Sequence, residues 1–271
     1  MVAMLKEVFE DGLAEEVSRL GDKVDTIIRY LHEQIQLQRQ ALLEPGHVLR
    51  FLAENGREIA MSLPLAQSDL IQRAILRSHV FFEADLLASI RRLGIVTEAS
   101  TVCDVGANIG NHVVYFGSVL GAARVLAFEP HAAIHAILKT NIALNGLQAR
   151  VSTYDCLVGA ASGSGTMESF DFRNTGGTSF KTDEAGNVPM VALDDVLSAD
   201  EVDSLDLIKI DVEGMQDEVL EGAVRIIRAR RPAIWVEILQ KDLNRSKAGL
   251  FLSQFGYRGE RLGAENWLYR V

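Results

Sequence analysis

Two groups of residues have the types and spacing to do chemistry. The first is Asp104-Val105-Gly106-Ala107-Asn108-Ile109-Gly110. Small residues at 106, 107 and 110 let a ligand come close to the backbone. A helix starting after this loop would offer unpaired N–H groups and a positive dipole end to a carboxylate. Glu129, in Phe128-Glu129-Pro130, lies 19 positions after Gly110. A carboxylate at the tip of a second strand can accept both ribose hydroxyls. Its plain structural role would be an acid ahead of the helix from Ala132. The second group is Lys209-Ile210-Asp211-Val212-Glu213-Gly214. Strand alternation points Lys209, Asp211 and Glu213 the same way, at the carboxyl end of an apolar strand. In a doubly wound sheet that end borders the ligand crevice.

The first group favours an adenosine-type ligand. A dinucleotide fingerprint has a second glycine where this loop has Asn108, because a pyrophosphate needs the closer approach. S-adenosylmethionine has a carboxylate and no pyrophosphate, so the departure favours it over a nicotinamide cofactor. The second group fits alignment of a hydroxyl and removal of its proton. Asp211 is the first choice for base or substrate anchor and Glu213 the second. Lys209 would keep Asp211 ionised or bind the substrate oxygen. A structural ion pair capping the helix from Met215 is the competing reading. A divalent ion at Asp211, Glu213 and Glu237 lacks a supporting His/Cys cluster, and no metal is expected. A nicotinamide oxidoreductase and a non-catalytic scaffold remain as alternatives.

These groups need a sheet to hold them. Thr101–Val105, Arg124–Phe128, Arg150–Tyr154, Leu205–Ile210 and Ala233–Leu239 read as buried strands, and Thr166–Phe172 as a half-buried one. Helical patterns fall at Asn111–Leu120, Ala132–Asn145, Met215–Ala229 and Asp242–Phe255, and upstream from Asp69 to Leu93. The rhythm predicts an α/β domain with a parallel sheet covered on both faces. Tyr257–Arg261 and Asn266–Arg270 predict a closing antiparallel hairpin. Val48–Leu65 reads as short strands or turns, and 159–165 and 174–186 as Gly/Ser-rich loops. Asp155 ends the third strand, where an adenine would lie. Arg225, Arg228, Arg230 and Arg231 read as a solvated face near a helix C-terminus.

The chain has 271 residues, 27 basic and 37 acidic, for a net charge of −10. That balance repels phosphate backbones and disfavours a nucleic-acid partner. Cys103 and Cys156 sit in apolar runs and read as core thiols. There is no apolar leader and no run of about 20 apolar residues, so a cytoplasmic protein without a transmembrane segment is expected. Leu13, Val17, Leu20, Val24, Ile27 and Leu31 alternate steps of four and three. Such an a/d seam predicts a coiled coil and a homo-oligomer, against the alternative of a helix docked on its own domain. The domain plan is 1–44 for this helix, 45–97 for a subdomain packing on the core, and 98–271 for the cofactor-binding domain.

Taken together, the ordered motifs resemble the FkbM-type methyltransferases. The likeness runs through Asp104 to His112, Phe128-Glu129-Pro130, Leu138 to Asn145, Gly176-Gly177-Thr178-Ser179 and Leu193 to Leu197. It is densest at Leu207 to Met215, continues through Val219 to Ala223, and closes with Arg231-Pro232 and Val236-Glu237. It covers about residues 78–239. The resemblance implies a class I methyltransferase (Rossmann-like) fold, a seven-stranded sheet ending in an antiparallel hairpin, here with an N-terminal helical extension. It implies O-methylation of a sugar, glycoconjugate or secondary-metabolite hydroxyl, with S-adenosylmethionine as cofactor. Gln216 stands where the family usually has an acid, which puts substrate choice in question. The expected cofactor residues are Glu83, Asp104, Gly106, Asn108, Gly110, Asn111, Glu129, Pro130 and Asp155. The expected acceptor residues are His112, Asn174, Thr178, Ser179 and Glu237, around the catalytic set Asp211, Glu213 and Lys209.

Overall fold

The computed structural model describes residues 48–171, 173–239 and 247–271, together with residues 19–21, 23–25 and 28. The chain divides into two units, 1–47 and 48–271. In the first unit the described residues are helical, and Leu20 and Val24 of the predicted seam are about half exposed. Leu13, Val17, Ile27 and Leu31 lie outside the described residues, as does 242–246 of the last predicted helix.

The second unit opens with an antiparallel hairpin, β1 (Val48–Leu52) and β2 (Glu58–Ser62). The pattern from Asp69 to Leu93 folds as two helices rather than one, α1 (Leu70–Ser78) and α2 (Ala84–Arg92). His79 and Glu83 adopt left-handed backbone at φ 56° and 57°, and this breaks the run. Then β3 (Thr101–Val105) leads into α3 (Asn111–Val114), which continues as a π-helical turn at Tyr115–Val119. β4 (Arg124–Phe128), α4 (Ala132–Leu144) and β5 (Val151–Tyr154) complete the first half.

Between the halves lies a separate four-stranded sheet of β6 (Leu157–Val158), β7 (Gly163–Ser169), β8 (Ser179–Thr182) and β9 (Val188–Val191). Two expected loops are therefore partly strand. Gly163 and Gly165 pair across to β9, and an added Cβ at Gly165 would meet the Lys181 carbonyl oxygen at 2.7 Å. These glycines serve close strand pairing, which is why the composition looked like that of a loop.

The short helices α5 (Leu193–Val196) and α6 (Ala199–Asp203) lead to β10 (Leu205–Ile210). The Met215–Ala229 pattern is interrupted at Gly222, giving α7 (Gln216–Glu221) and α8 (Val224–Ala229). An added Cβ at Gly222 would meet the Gly159 carbonyl oxygen at 2.0 Å, so the break lets another backbone pass. β11 (Ala233–Glu237), α9 (Ala248–Ser253) and the hairpin β12 (Arg258–Arg261) and β13 (Asn266–Arg270) close the chain.

The main sheet has seven strands in the order β12-β13-β11-β10-β3-β4-β5. β3, β4, β5, β10 and β11 are parallel, and the terminal hairpin is antiparallel. The order reverses between β3 and β10, and both loops with chemical potential emerge there. One face of these strands buries Cys103, Val105, Ile208, Ile210 and Val236 against Val219, Ile226 and Ile227 of α7 and α8. Cys103 and Cys156 are free and buried.

Asp69 ties the upstream helices to the later loop. Its Oδ1 accepts from Gln72 N as the N-cap of α1, and its Oδ2 accepts from both the backbone N and the hydroxyl of Thr175. The side chain is fully buried. Asp69→Ala removes a cap and leaves two buried donors unpaired. A loss of about 2–4 kcal/mol in denaturant unfolding at pH 7 is expected. A variant as stable as the parent would show that Thr175 finds another acceptor.

Candidate active site

A cavity of about 280 Å³ opens at the carboxyl ends of β3, β4, β10 and β11. Its first wall is the loop from Gly106 to Asn111 with Glu129 and Pro130. Gly106 has φ 86°, and an added Cβ would sit 1.8 Å from the Asp211 carbonyl oxygen. The crossing of the β10 exit over this loop is thus the immediate reason for glycine here. Gly110, also at φ 86°, packs its α-carbon against Leu138 and does not line the cavity.

The amides of the loop itself, ahead of the helix, are already paired. Gly106 N and Ala107 N donate to the Phe128 carbonyl, Asn108 N to Glu129 Oε2, Ile109 N to Asn108 Oδ1, and Gly110 N to the Ala107 carbonyl. The loop spends its donors on its own shape. Asn108 adopts left-handed backbone (φ 47°) to do so. Asn111 lines the cavity, but its side-chain amide brackets Phe82, accepting from its N and donating to its carbonyl.

Glu129 is 8% exposed and lines the cavity. It accepts one backbone N–H on each oxygen, from Asn108 at 2.9 Å and His131 at 2.8 Å. Burial outweighs those bonds and pushes its carboxyl up to about 7. A raised acid binds more protons folded than unfolded, so its contribution to stability falls as pH rises from about 4.5 to 7. Between pH 5 and 8 the protein is expected to lose up to roughly 3 kcal/mol more stability than Glu129→Gln does. Parallel pH profiles in chemical denaturation would refute that. Asp155 is half-exposed at the tip of β5, 4.0 Å from His135, and does not line the cavity.

The opposite wall is acidic. Strand β10 ends at Ile210, and the alternation expected to align Lys209, Asp211 and Glu213 ends with it. Asp211, Val212 and Glu213 all face the cavity, because the chain turns tightly there, with Gly214 N donating to the Val212 carbonyl. Lys209 does not line the cavity. It is 2% exposed, with Nζ 3.0 Å from Asp211 Oδ2, 3.5 Å from Asp104 Oδ1 and 5.8 Å from the Trp235 ring centre. Asp104 is fully buried behind the loop, and Lys209 is its ion-pair partner. These two residues form a charged floor beneath the cavity and are not part of its lining.

Glu237, at the end of β11, stands beside Asp211, since Ile210 and Val236 pair in the sheet. Burial and the Asp211 charge push Glu237 up to about 10. Burial would raise Asp211 too, but the Lys209 ammonium and the hydrogen bonds from Glu237 and Lys209 prevail and lower it to about 2. Glu83 Oε2 lies 3.2 Å from His112 Nε2, and both residues line the cavity. Asn266 donates to Glu83 Oε1 and accepts from Trp235 Nε1. The left-handed backbone at Glu83 costs about 1–2 kcal/mol and is held by the Asn111 bracket on Phe82.

A third wall is the turn at 174–178. Asn174 and Thr178 line the cavity, while Ser179 does not, its hydroxyl sharing a hydrogen bond with Ser169. An added Cβ at Gly176 would meet Ile71 Cδ1 at 2.8 Å and Asn108 Nδ2 at 3.3 Å, so this turn is pressed onto the glycine loop. Thr175, Ile71, Phe82, Phe180, Met215 and Leu239 also line the cavity and escaped the sequence reading. The apolar ones carry no local signal. Thr175 becomes legible only through Asp69, 106 positions away.

The sequence of residues 104–258 matches the model of the methyltransferase FkbM domain. Methyltransferase sdnD of Sordaria araneosa is 30% identical over 155 residues, 45% of this chain and 59% of that protein. The chain thus spans about three fifths of that relative's length. Among solved structures, methyltransferase FkbM from Methylobacillus flagellatus is similar with a TM-score of 0.49. It is 18% identical, over 76% of this chain and 57% of that one. The precorrin-6y C5,15-methyltransferase from Geobacter metallireducens gives a TM-score of 0.42 and 13% identity, over 69% and 84%. With more than half of its sequence matched by the family model, and the seven-stranded sheet in place, the chain belongs to the FkbM methyltransferase domain family.

Proposed function

We propose that the protein transfers the methyl group of S-adenosylmethionine to a hydroxyl of a sugar, glycoconjugate or secondary metabolite. The observation that carries this reading is one cavity shared by two different walls. Glu129 and the glycine loop stand on one side, and Asp211 with Glu237 on the other. The cofactor fits the first wall. Each Glu129 oxygen accepts a single N–H and keeps a lone pair for a ribose hydroxyl. Phe128, Leu157 and Val158 supply apolar surface for an adenine. When bound, the cofactor supplies an electrophilic methyl group on a sulfonium.

The chain's own residues do the rest. Asp211 receives the acceptor hydroxyl, Lys209 fixes the charge and position of Asp211, and the turn at 174–178 helps to keep water out. Six acids and no lysine or arginine line the cavity among the described residues, which disfavours phosphate-rich acceptors such as nucleic acid. Calorimetry with S-adenosylhomocysteine, followed by labelled-methyl transfer to sugars, glycolipids and polyketides, tests the proposal. Binding of NAD in place of S-adenosylhomocysteine would overturn it.

We also propose that residues 1–44 join copies of the chain as a coiled coil, with 45–97 packing on a catalytic domain of 98–271. The half-exposed Leu20 and Val24 support the first part. Deleting 1–44 is expected to reduce the solution mass, by light scattering, to that of a monomer. An unchanged mass would refute self-association through this segment. No helix among the described residues is long and apolar enough to cross a membrane. A reducing cytoplasmic setting suits the free thiols at Cys103 and Cys156.

A further inference from the structure

We propose that Asp211 and Glu237 act as one proton-sharing carboxyl pair that docks the acceptor hydroxyl and takes its proton. The inference rests on the methyl-transfer reading above and assigns Glu237 a part in the chemistry.

The geometry comes first. Asp211 follows β10 and Glu237 ends the adjacent strand β11, so the sheet itself sets their separation. β11 is fixed in turn by β13, where Glu237 stands opposite Asn266. Ile210 pairs with Val236, so the next residues, Asp211 and Glu237, stand side by side at neighbouring strand ends, and both line the cavity. Two ionised carboxylates offer acceptors only and repel each other, whereas one shared proton lets the neighbouring groups bond. Two neighbouring carboxylates facing one largely buried site disfavour double ionisation. The pair therefore carries one proton and one negative charge.

The surroundings fix which partner is charged. The Lys209 ammonium lies 3.0 Å from Asp211, with Asp104 beyond it. Glu83 and His112 act on the pair from the start of α2 and from α3, and Glu213, in the same loop as Asp211, and Glu265, just before β13, also line the cavity. The cation sits on the Asp211 side, so the proton rests on Glu237. Burial and the Asp211 charge raise Glu237 to about 10, in line with this placement.

Such a pair matches a hydroxyl. An alcohol donates its O–H, and the pair presents the Asp211 carboxylate to accept it, while the one Glu237 proton is committed to Asp211. A carboxylate or phosphate acceptor would meet a negative charge instead. In the transfer step the alcohol O–H bond breaks. The proton moves to the Asp211 carboxylate, and its electron pair stays on the acceptor oxygen, which would form its bond to the methyl carbon as the carbon–sulfur bond of the sulfonium breaks and leaves its electron pair on sulfur. The pair goes from one proton and a charge of −1 to two protons and neutrality, and the extra proton then leaves to water. Asp211 is a weak base because of Lys209, and a weak base is sufficient. The acceptor oxygen becomes strongly acidic only as it gains carbon, so the proton moves late, after alignment has been achieved.

Infrared spectroscopy of protein labelled with carbon-13 at the glutamate carboxyls reads the resting proton directly. At about pH 8.5, above the titration of Glu129 and below that of Glu237, one protonated buried glutamate is expected. Its band should vanish in Glu237→Gln. In Asp211→Asn the like charge is gone, and the titration of Glu237 should fall by at least one pH unit, about tenfold in proton affinity. No protonated glutamate in the parent protein, or a band that survives Glu237→Gln, would overturn the pair. S-adenosylhomocysteine calorimetry on the same samples separates the two levels. Binding without the band sinks the pair alone, and the band without binding sinks the cofactor assignment.

Discussion

Asp211→Asn is expected to lower methyl transfer by about 10²- to 10⁴-fold, the usual contribution of a positioned proton acceptor. Cofactor affinity should change by less than about threefold, below 0.7 kcal/mol. The two expectations separate because Asp211 meets the glycine loop through its backbone. Its carbonyl lies where a Cβ of Gly106 would fall, and its N–H donates to the Val105 carbonyl. Asparagine keeps both backbone contacts and nearly the same volume. What it loses is the charge beside Lys209 and the ability to take a proton. The acceptor KM should therefore move less than kcat, since a hydroxyl can still bond to an amide. Cofactor calorimetry on the same preparation controls for folding. Turnover within about tenfold of the parent would remove Asp211 from the proton path and leave it an anchor.

Much of the fold was legible because its signals are local. Buried strands such as Thr101-Val102-Cys103-Asp104-Val105 are short, mainly apolar runs, and the helix patterns between them set a parallel sheet. The closing hairpin appeared at Arg258–Arg261 and Asn266–Arg270, close to the expected ends. What failed were readings that depended on a partner distant in sequence. Gly165 and Gly222 looked like a loop residue and a helix residue because the backbones they admit, at Lys181 and Gly159, are far along the chain. The site behaved the same way. Glu129, Asp211, Glu213 and Glu237 could be chosen from strand tips alone, and all line the cavity. Asp104 and Lys209 were chosen by the same rule and lie beneath it. Alternation indicates which face of a strand a residue occupies. Depth within that face depends on what covers it, and here Trp235 and the loop itself cover the ammonium.

That buried ammonium makes the largest stability prediction. Burial opposes the charge on Lys209, yet Asp211, Asp104 and Glu83 together outweigh it and hold its pKa above the ordinary lysine range. Lys209→Met keeps the length and apolar stem but strands Asp104, which is fully buried and has Lys209 as its ion-pair partner. Removing one partner of a buried pair typically costs about 3–5 kcal/mol, and a loss of that size is expected in denaturant unfolding. The sign of the linkage distinguishes it from the Glu129 effect. A lysine with a raised pKa contributes stability that is complete below its unfolded pKa and is lost only as pH climbs through the folded value. The penalty should therefore be flat from pH 6 to 9, the range in which Glu129 still changes between 6 and 8. Asp104→Asn supplies the internal control, since it removes the charge that Lys209→Met leaves unpaired. The double variant should be more stable than the sum of the single losses implies, with a coupling of about 1–3 kcal/mol. Additive losses would mean that Lys209 acts on Asp211 alone. Asp104 would then be a buried acid whose cost is met elsewhere, and the charged floor would be one ion pair instead of a chain of three groups.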